Sequence, residues 1–303
     1  DGVKELSPWR FAIANAVGAE IPASLMDGAG PYYQNAAATA PMLTLSQRAK
    51  GADEAARRGV LSSSSMVELY SEIHAEGADG PAKSTATQLR NAYAGQNVED
   101  RVAAIRSIWE TAKNDYSRYV LTAFAAARIT PSEDVAEEDS AALVASMLSA
   151  GLDADALSWA QFAPQGGQTW ALLSLSQPQR SSPVSESQID AFIGDDESQG
   201  QRKSKFLLAG LAGLGRITPQ DQASVAGNLE IDLARESKWS KLIDRAADVK
   251  NTALVAYLAG VGMQGTSWDQ MTARHLYHIV AALNRVGLSA EARMIAAEAV
   301  ARG

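Results

Sequence analysis

The amino-acid sequence predicts an all-α protein made of degenerate antiparallel helical hairpins stacked as an α-superhelix or solenoid. Three observations carry that expectation. Apolar residues recur at three- and four-residue spacing almost throughout, while the alternation of apolar and polar residues that marks a half-buried strand is nearly absent. Hydroxyl residues recur ahead of apolar runs, where they cap helix starts. Alanine runs such as Ala36-Ala37-Ala38 and Ala125-Ala126-Ala127, in a chain with only 6% aromatics, leave small side chains to line contacts between closely spaced rods.

The periodicity is clearest over residues 98–124. Val102, Ile105, Trp109, Ala112, Tyr116, Tyr119 and Ala123 step along one stripe, and Glu99, Arg106, Lys113 and Asn114 fall off it. The run reads as one long helix or as two with a break near Asn114-Asp115. Helix starts are expected at Leu61-Ser62-Ser63, Ile129-Thr130-Pro131, Ile217-Thr218-Pro219 and Leu288-Ser289-Ala290, each an apolar residue, a hydroxyl cap and a proline or small residue. The segment before each is itself helical, so short loops join consecutive helices and pair them as hairpins. About fourteen helices of ordinary length result. Their spacing is irregular and the tetratricopeptide, ankyrin and leucine-rich signatures are absent, so the array is expected to be similar to tetratricopeptide or HEAT stacks only in general form.

Two stretches interrupt the helical pattern. Pro178 to Pro183 reads as a loop, and Gly194 to Gly200 is polar and acidic through Asp195-Asp196-Glu197. The expected organisation is therefore an N-terminal array over residues 1–178, a linker over 178–200 and a C-terminal bundle over 200–303. A weaker break is expected over residues 76–83, where Gly77, Gly80 and Pro81 cluster.

The formal net charge of −8, from 35 acidic and 27 basic residues, argues against nucleic acid as a partner. The one short basic run, Arg202-Lys203-Ser204-Lys205, reads as a solvated helix start. The absence of cysteine excludes disulfides, thiolate metal sites and cysteine nucleophiles. No apolar run approaches the roughly 18 residues that span a bilayer. The lack of cysteine, with Asp1-Gly2-Val3 in place of an initiator methionine, leans toward the bacterial periplasm, with the cytoplasm as the alternative.

Candidate chemistry is sparse. His275 and His278 lie three apart on an expected helix over residues 272–285 and share a face on which a metal would need further ligands; only Asp269 is an easy carboxylate nearby, and the pair reads as polar residues at a helix seam. Glu133, Asp134, Glu137, Glu138 and Asp139 follow the Thr130-Pro131 cap and read as first-turn acids favoured by the helix dipole. Gly260-x-Gly262-x-x-Gly265 matches a loose dinucleotide pattern but lacks the preceding strand that aims such a loop; it and Gly210-x-x-Gly213-x-Gly215 read as helix ends and close contacts. The six tryptophans lie in or beside expected helices, mostly as core anchors. No cofactor is expected.

Glu236-Ser237 and Gly262-Met263-Gln264 carry one resemblance. They resemble the soluble lytic transglycosylases, which join an alanine-rich helical superhelix to a small domain whose catalytic acid is a glutamate followed by serine, with a Gly-Leu-Met-Gln motif downstream. The resemblance implies Glu236 as the acid. The sequence departs from the family pattern: valine-glycine precedes Met263, only residues 237–303 follow the glutamate, and Leu283-Asn284 stands where the family has a Tyr-Asn pair.

The sequence therefore points first to a non-enzymatic interaction or scaffold protein that binds a protein or peptide on a helical surface. Two alternatives stay open: a cell-wall-active enzyme or accessory domain with Glu236 as acid, and a helical pocket for a small apolar ligand near Met263, Met271 and Met294.

Overall fold

The structure is a computed structural model that describes residues 4–28, 30–76, 80–113, 115–265 and 267–303. Helix accounts for 68% of the chain, in eighteen α-helices with no strand among the described residues, so the all-α expectation holds. The chain forms two compact units, Asp1–Thr130 and Pro131–Gly303.

The first unit contains α1 (Pro8–Val17), α2 (Ala23–Asp27), α3 (Pro31–Ala38), α4 (Leu45–Arg57), α5 (Ser63–Glu76), α6 (Pro81–Ala94), α7 (Val98–Thr111) and α8 (Tyr116–Ala126). Consecutive helices pair as the short connections require, α3 on α4, α5 on α6, α6 on α7. Thr44 and Gln47 start α4 with a reciprocal capping box. The helix then buries Ala49, Gly51, Ala52, Ala55 and Ala56 on one face. At Gly51 a Cβ would lie 2.5 Å from the Gln34 carbonyl oxygen and 2.9 Å from the Ala38 nitrogen, so only glycine lets α3 and α4 touch backbone to backbone. Met66, Leu69, Ile73, Leu89, Ile108 and Leu121 fill the core beside this alanine face.

The second unit contains α9 (Glu137–Ser149), α10 (Asp153–Leu157), α11 (Gln168–Ser176), α12 (Glu186–Gly194), α13 (Arg202–Gly213), α14 (Pro219–Asn228), α15 (Lys238–Asp248), α16 (Thr252–Gly262), α17 (Ala273–Arg285) and α18 (Ser289–Arg302). Helix α13 is central and packs against α11, α17 and α18, while α18 returns to α9 and α11. The Gly210-x-x-Gly213 pair makes this possible: a Cβ at Gly210 would meet Leu175 and Ala296, and one at Gly213 would meet Val280 at 2.9 Å. A parallel bridge joins Val184 to Ile217.

Several boundaries differ from expectation. Eighteen helices exceed fourteen partly because α2 and α10, of five residues each, are too short to show a period. Ile129-Thr130-Pro131 starts no helix; a turn at Glu133-Asp134 intervenes, and α9 begins at Glu137, whose Oε1 accepts the Thr169 backbone N–H at 3.1 Å. Glu133 and Asp134 therefore precede α9. At Leu288-Ser289 the cap position is Leu288, and Ser289 is already helical. Residues 178–200 lie inside the second unit and carry α12, whose Ile189 and Phe192 are buried in a segment with packing against α13 and α14, whereas the division between units falls at Thr130. The 98–124 run is two helices, with Asp115 capping α8 through the Ser117 N–H at 2.9 Å; Asn114 lies outside the described residues. So does Gly77 of the expected 76–83 break, across which α5 ends and α6 begins.

Candidate functional site

Helix α16 has no charged residue along its length, TALVAYLAGVG. Asn251 caps it by accepting the Leu254 N–H at 3.1 Å. Its inner face buries Val255, Leu258 and Ala259, in a helix packed between α15 and α17. The outer face exposes Leu254, Tyr257 and Val261, with Tyr257 68% exposed. Spaced three and four apart, these side chains form one stripe. Ala253, Ala256 and Gly260 lie beside it and are also exposed. A Cβ at Gly260 would meet nothing within 4 Å.

The position of α16 is fixed by α15. Ser237 and Ser240 form a capping box, and α15 buries Ile243, Ala246 and Ala247 while leaving Leu242 exposed. The Trp239 indole N–H donates to the Leu258 carbonyl at 3.1 Å, and the same ring sits so close to Gly262 that a Cβ there would be 2.6 Å from it. Trp239 also stacks on His275, with ring centroids 4.8 Å apart.

Both histidines serve this packing. His275 Nδ1 lies 3.1 Å from the hydroxyl of the α17 cap, Thr272; burial, with Arg274 and His278 adding repulsion, holds its pKa below the ordinary 6.5. His278 is buried, with Nδ1 2.8 Å from Asp244 Oδ2, and Arg285 ties Asp244 to Asp248. Its Nε2 is buried with no hydrogen-bond partner. Among the described residues no group of three His, Asp or Glu side chains gathers as a metal would require.

Glu236 lies just before the Ser237 cap, outside any helix, and pairs with Lys241 at 3.1 Å, with both side chains more than half exposed. Met263, Met271 and Met294 are part-buried, and none lines either of two cavities, one of about 290 Å³ beside Ile21, Met26 and Leu43 and one of about 410 Å³ beside Arg216. Of the tryptophans, Trp109 and Trp159 are core anchors, whereas Trp9 is 73% exposed.

Sequence reasoning missed the α16 stripe, although eleven consecutive uncharged residues at helical length were its signal. It also missed a polar network in the first unit: Tyr70 donates to Asp53 Oδ1 at 3.1 Å, and Arg118 donates to Tyr70 at 2.6 Å and Asp53 at 2.7 Å. Burial raises the Asp53 and Tyr70 pKa values despite the neighbouring Arg118. The three groups satisfy one another and tie α4, α5 and α8 together.

No family model, no curated protein and no solved structure matches this chain.

Proposed function

We propose that this chain is a non-enzymatic α-helical interaction or scaffold protein, in which stacked helical hairpins of the superhelix type present a surface to another protein or peptide. The observation that carries the reading is the outer face of α16. A helix that is apolar all round belongs in an interior, yet Leu254, Tyr257 and Val261 face solvent. Burying such a side chain releases about 1.5–3 kcal/mol, which is available to a partner that covers the stripe. The partner's contacting element is an amphipathic helix: Ala253, Ala256 and Gly260 make a shallow strip beside the stripe, and small residues let a second helix approach closely. Packing of consecutive helices as hairpins, as in α15 on α16 and α16 on α17, supports the stacked-array form.

The test compares wild type with a Tyr257→Glu, Val261→Glu double variant, both checked for a native helical spectrum. A protein captured by wild type is purified and its affinity measured for both. Loss of about 100-fold or more in the variant is expected if two anchor side chains are spoiled. Equal affinity, or no partner together with turnover of a small substrate by wild type, removes the proposal.

A further inference from the structure

We infer that the 410 Å³ cleft beside the C-terminus of α11 binds a small multivalent oxyanion, a phosphate or a polycarboxylate, through Arg180, Arg216 and Arg293. Its volume lies within the ~300–1,000 Å³ usual for ligand pockets. The three arginines come from separate parts of the second unit: the loop after α11, the connection from α13 to α14, and α18.

Helix capping accounts for part of this arrangement. Arg216 donates to the carbonyls of Ser174 at 2.7 Å, Leu175 at 2.9 Å and Gln177 at 2.5 Å, and Arg293 donates to the Ser176 carbonyl and to Asp153 at 2.6 Å. These are the last carbonyls of α11, which have no partner within their own helix. Capping does not account for the charge. A helix end offers about half a negative charge, and Asp153 adds one carboxylate, against three guanidinium groups. Among the described residues neither Arg180 nor Arg216 pairs with a carboxylate, in a chain with a net charge of −8. Arg180 touches no α11 carbonyl, donating instead to the Ser174 hydroxyl at 3.2 Å and the Ser182 carbonyl at 3.3 Å.

The electrostatics agree with an unmet positive charge. Burial, with repulsion from Arg293 and Arg180, pushes the Arg216 pKa down to about 10, and burial lowers that of Arg180. A guanidinium has five N–H donors. Arg180 Nη2, Arg216 Nε, and Arg293 Nε and Nη2 have no acceptor among the described residues. Ser181, Ser289 and Asn284 line the same cleft and add neutral donors. Planar forks with spare donors, two of them without a carboxylate partner, suit a bidentate oxyanion, and the charge excess calls for an anion carrying two or more charges.

The full chain is titrated calorimetrically, and its melting followed, with inorganic phosphate and with citrate, each against sodium chloride at equal ionic strength. Saturable binding and a raised melting temperature are expected for at least one of them. Arg180→Gln is expected to bind about tenfold more weakly or worse, as loss of a charge-assisted contact implies, without unfolding, because Arg180 holds no carbonyl of α11. Arg180→Lys keeps the charge without the fork and is expected to fall between. A response to phosphate alone assigns a phosphate group, and one to citrate alone assigns a polycarboxylate. A response no greater than that to chloride, or unchanged binding in both Arg180 variants, overturns the inference.

Discussion

Asp196 Oδ2 accepts both the backbone N–H of Ser204, at 2.8 Å, and its hydroxyl, at 2.6 Å, so the start of α13 is capped from a loop outside the helix. Oδ1 takes the Ser198 N–H at 2.9 Å, and Ser198 Oγ in turn accepts the Lys203 N–H at 3.0 Å. Burial alone would push this carboxyl up, but the hydrogen bonds from Ser198 and Ser204 outweigh it and hold the pKa below the ordinary 3.8.

Asp196→Ala is therefore expected to destabilise the second unit by about 1–2 kcal/mol, measured by denaturant unfolding at neutral pH. Because the folded carboxyl is the stronger acid, its contribution is full above the ordinary 3.8 and is lost as pH falls through the folded value. The deficit of the alanine variant should therefore begin to shrink only below the ordinary 3.8. A deficit that instead changed between neutral and mildly acid pH would contradict the assignment.

His275 provides a second pH dependence, with a different window. Its folded pKa lies below 6.5, so the unfolded chain takes up the proton first as the solution is acidified. Stability should be constant above 6.5 in this respect and fall as pH drops through the folded value. His275→Phe keeps a ring against Trp239 and removes the titration. Urea melts at about pH 8 and about pH 5 should show wild type losing stability relative to the variant on acidification; parallel losses would mean that other groups carry the effect.

Glu236→Gln separates the enzymatic expectation from the scaffold reading. The carboxylate is exposed, and its pair with Lys241 is screened by solvent, so the substitution should leave unfolding unchanged within about 0.5 kcal/mol. Neither form is expected to cleave peptidoglycan. Cleavage by wild type that the glutamine variant lacks would restore Glu236 as a catalytic acid.

The helical class was legible because the apolar period is a property of each segment alone. Caps formed by near neighbours were legible too: Thr218 accepts the Asp221 N–H at 3.1 Å within the motif read from sequence. Contacts made at a distance were not. Nothing in residues 131–139 indicates that Glu137 accepts from Thr169, thirty-two positions on. The polar stretch over 194–200 looked like a linker because its capping partners, Lys203 and Ser204, belong to the next helix. The arginine cleft gathers residues 180, 216 and 293, which no local pattern connects.

The glycines of the second unit provide the sharpest contrast. Gly213 is required by packing: a Cβ there would lie 2.9 Å from Val280 Cβ and 3.0 Å from the Ala281 nitrogen. Gly213→Ala must push α13 and α17 apart and is expected to cost about 1–3 kcal/mol. Gly260 lies within α16 with nothing near its missing Cβ, so alanine there should stabilise the free chain by about 0.5–1 kcal/mol through its better helix propensity. If the outer face of α16 receives a partner helix, the added methyl group stands in the strip that helix would occupy, and Gly260→Ala should weaken the complex while strengthening the fold. Unfolding free energies for both variants, with partner affinity for the second, check the pair. Destabilisation by Gly260→Ala would show that the glycine serves the fold, and the open strip would then lose its meaning as a docking surface.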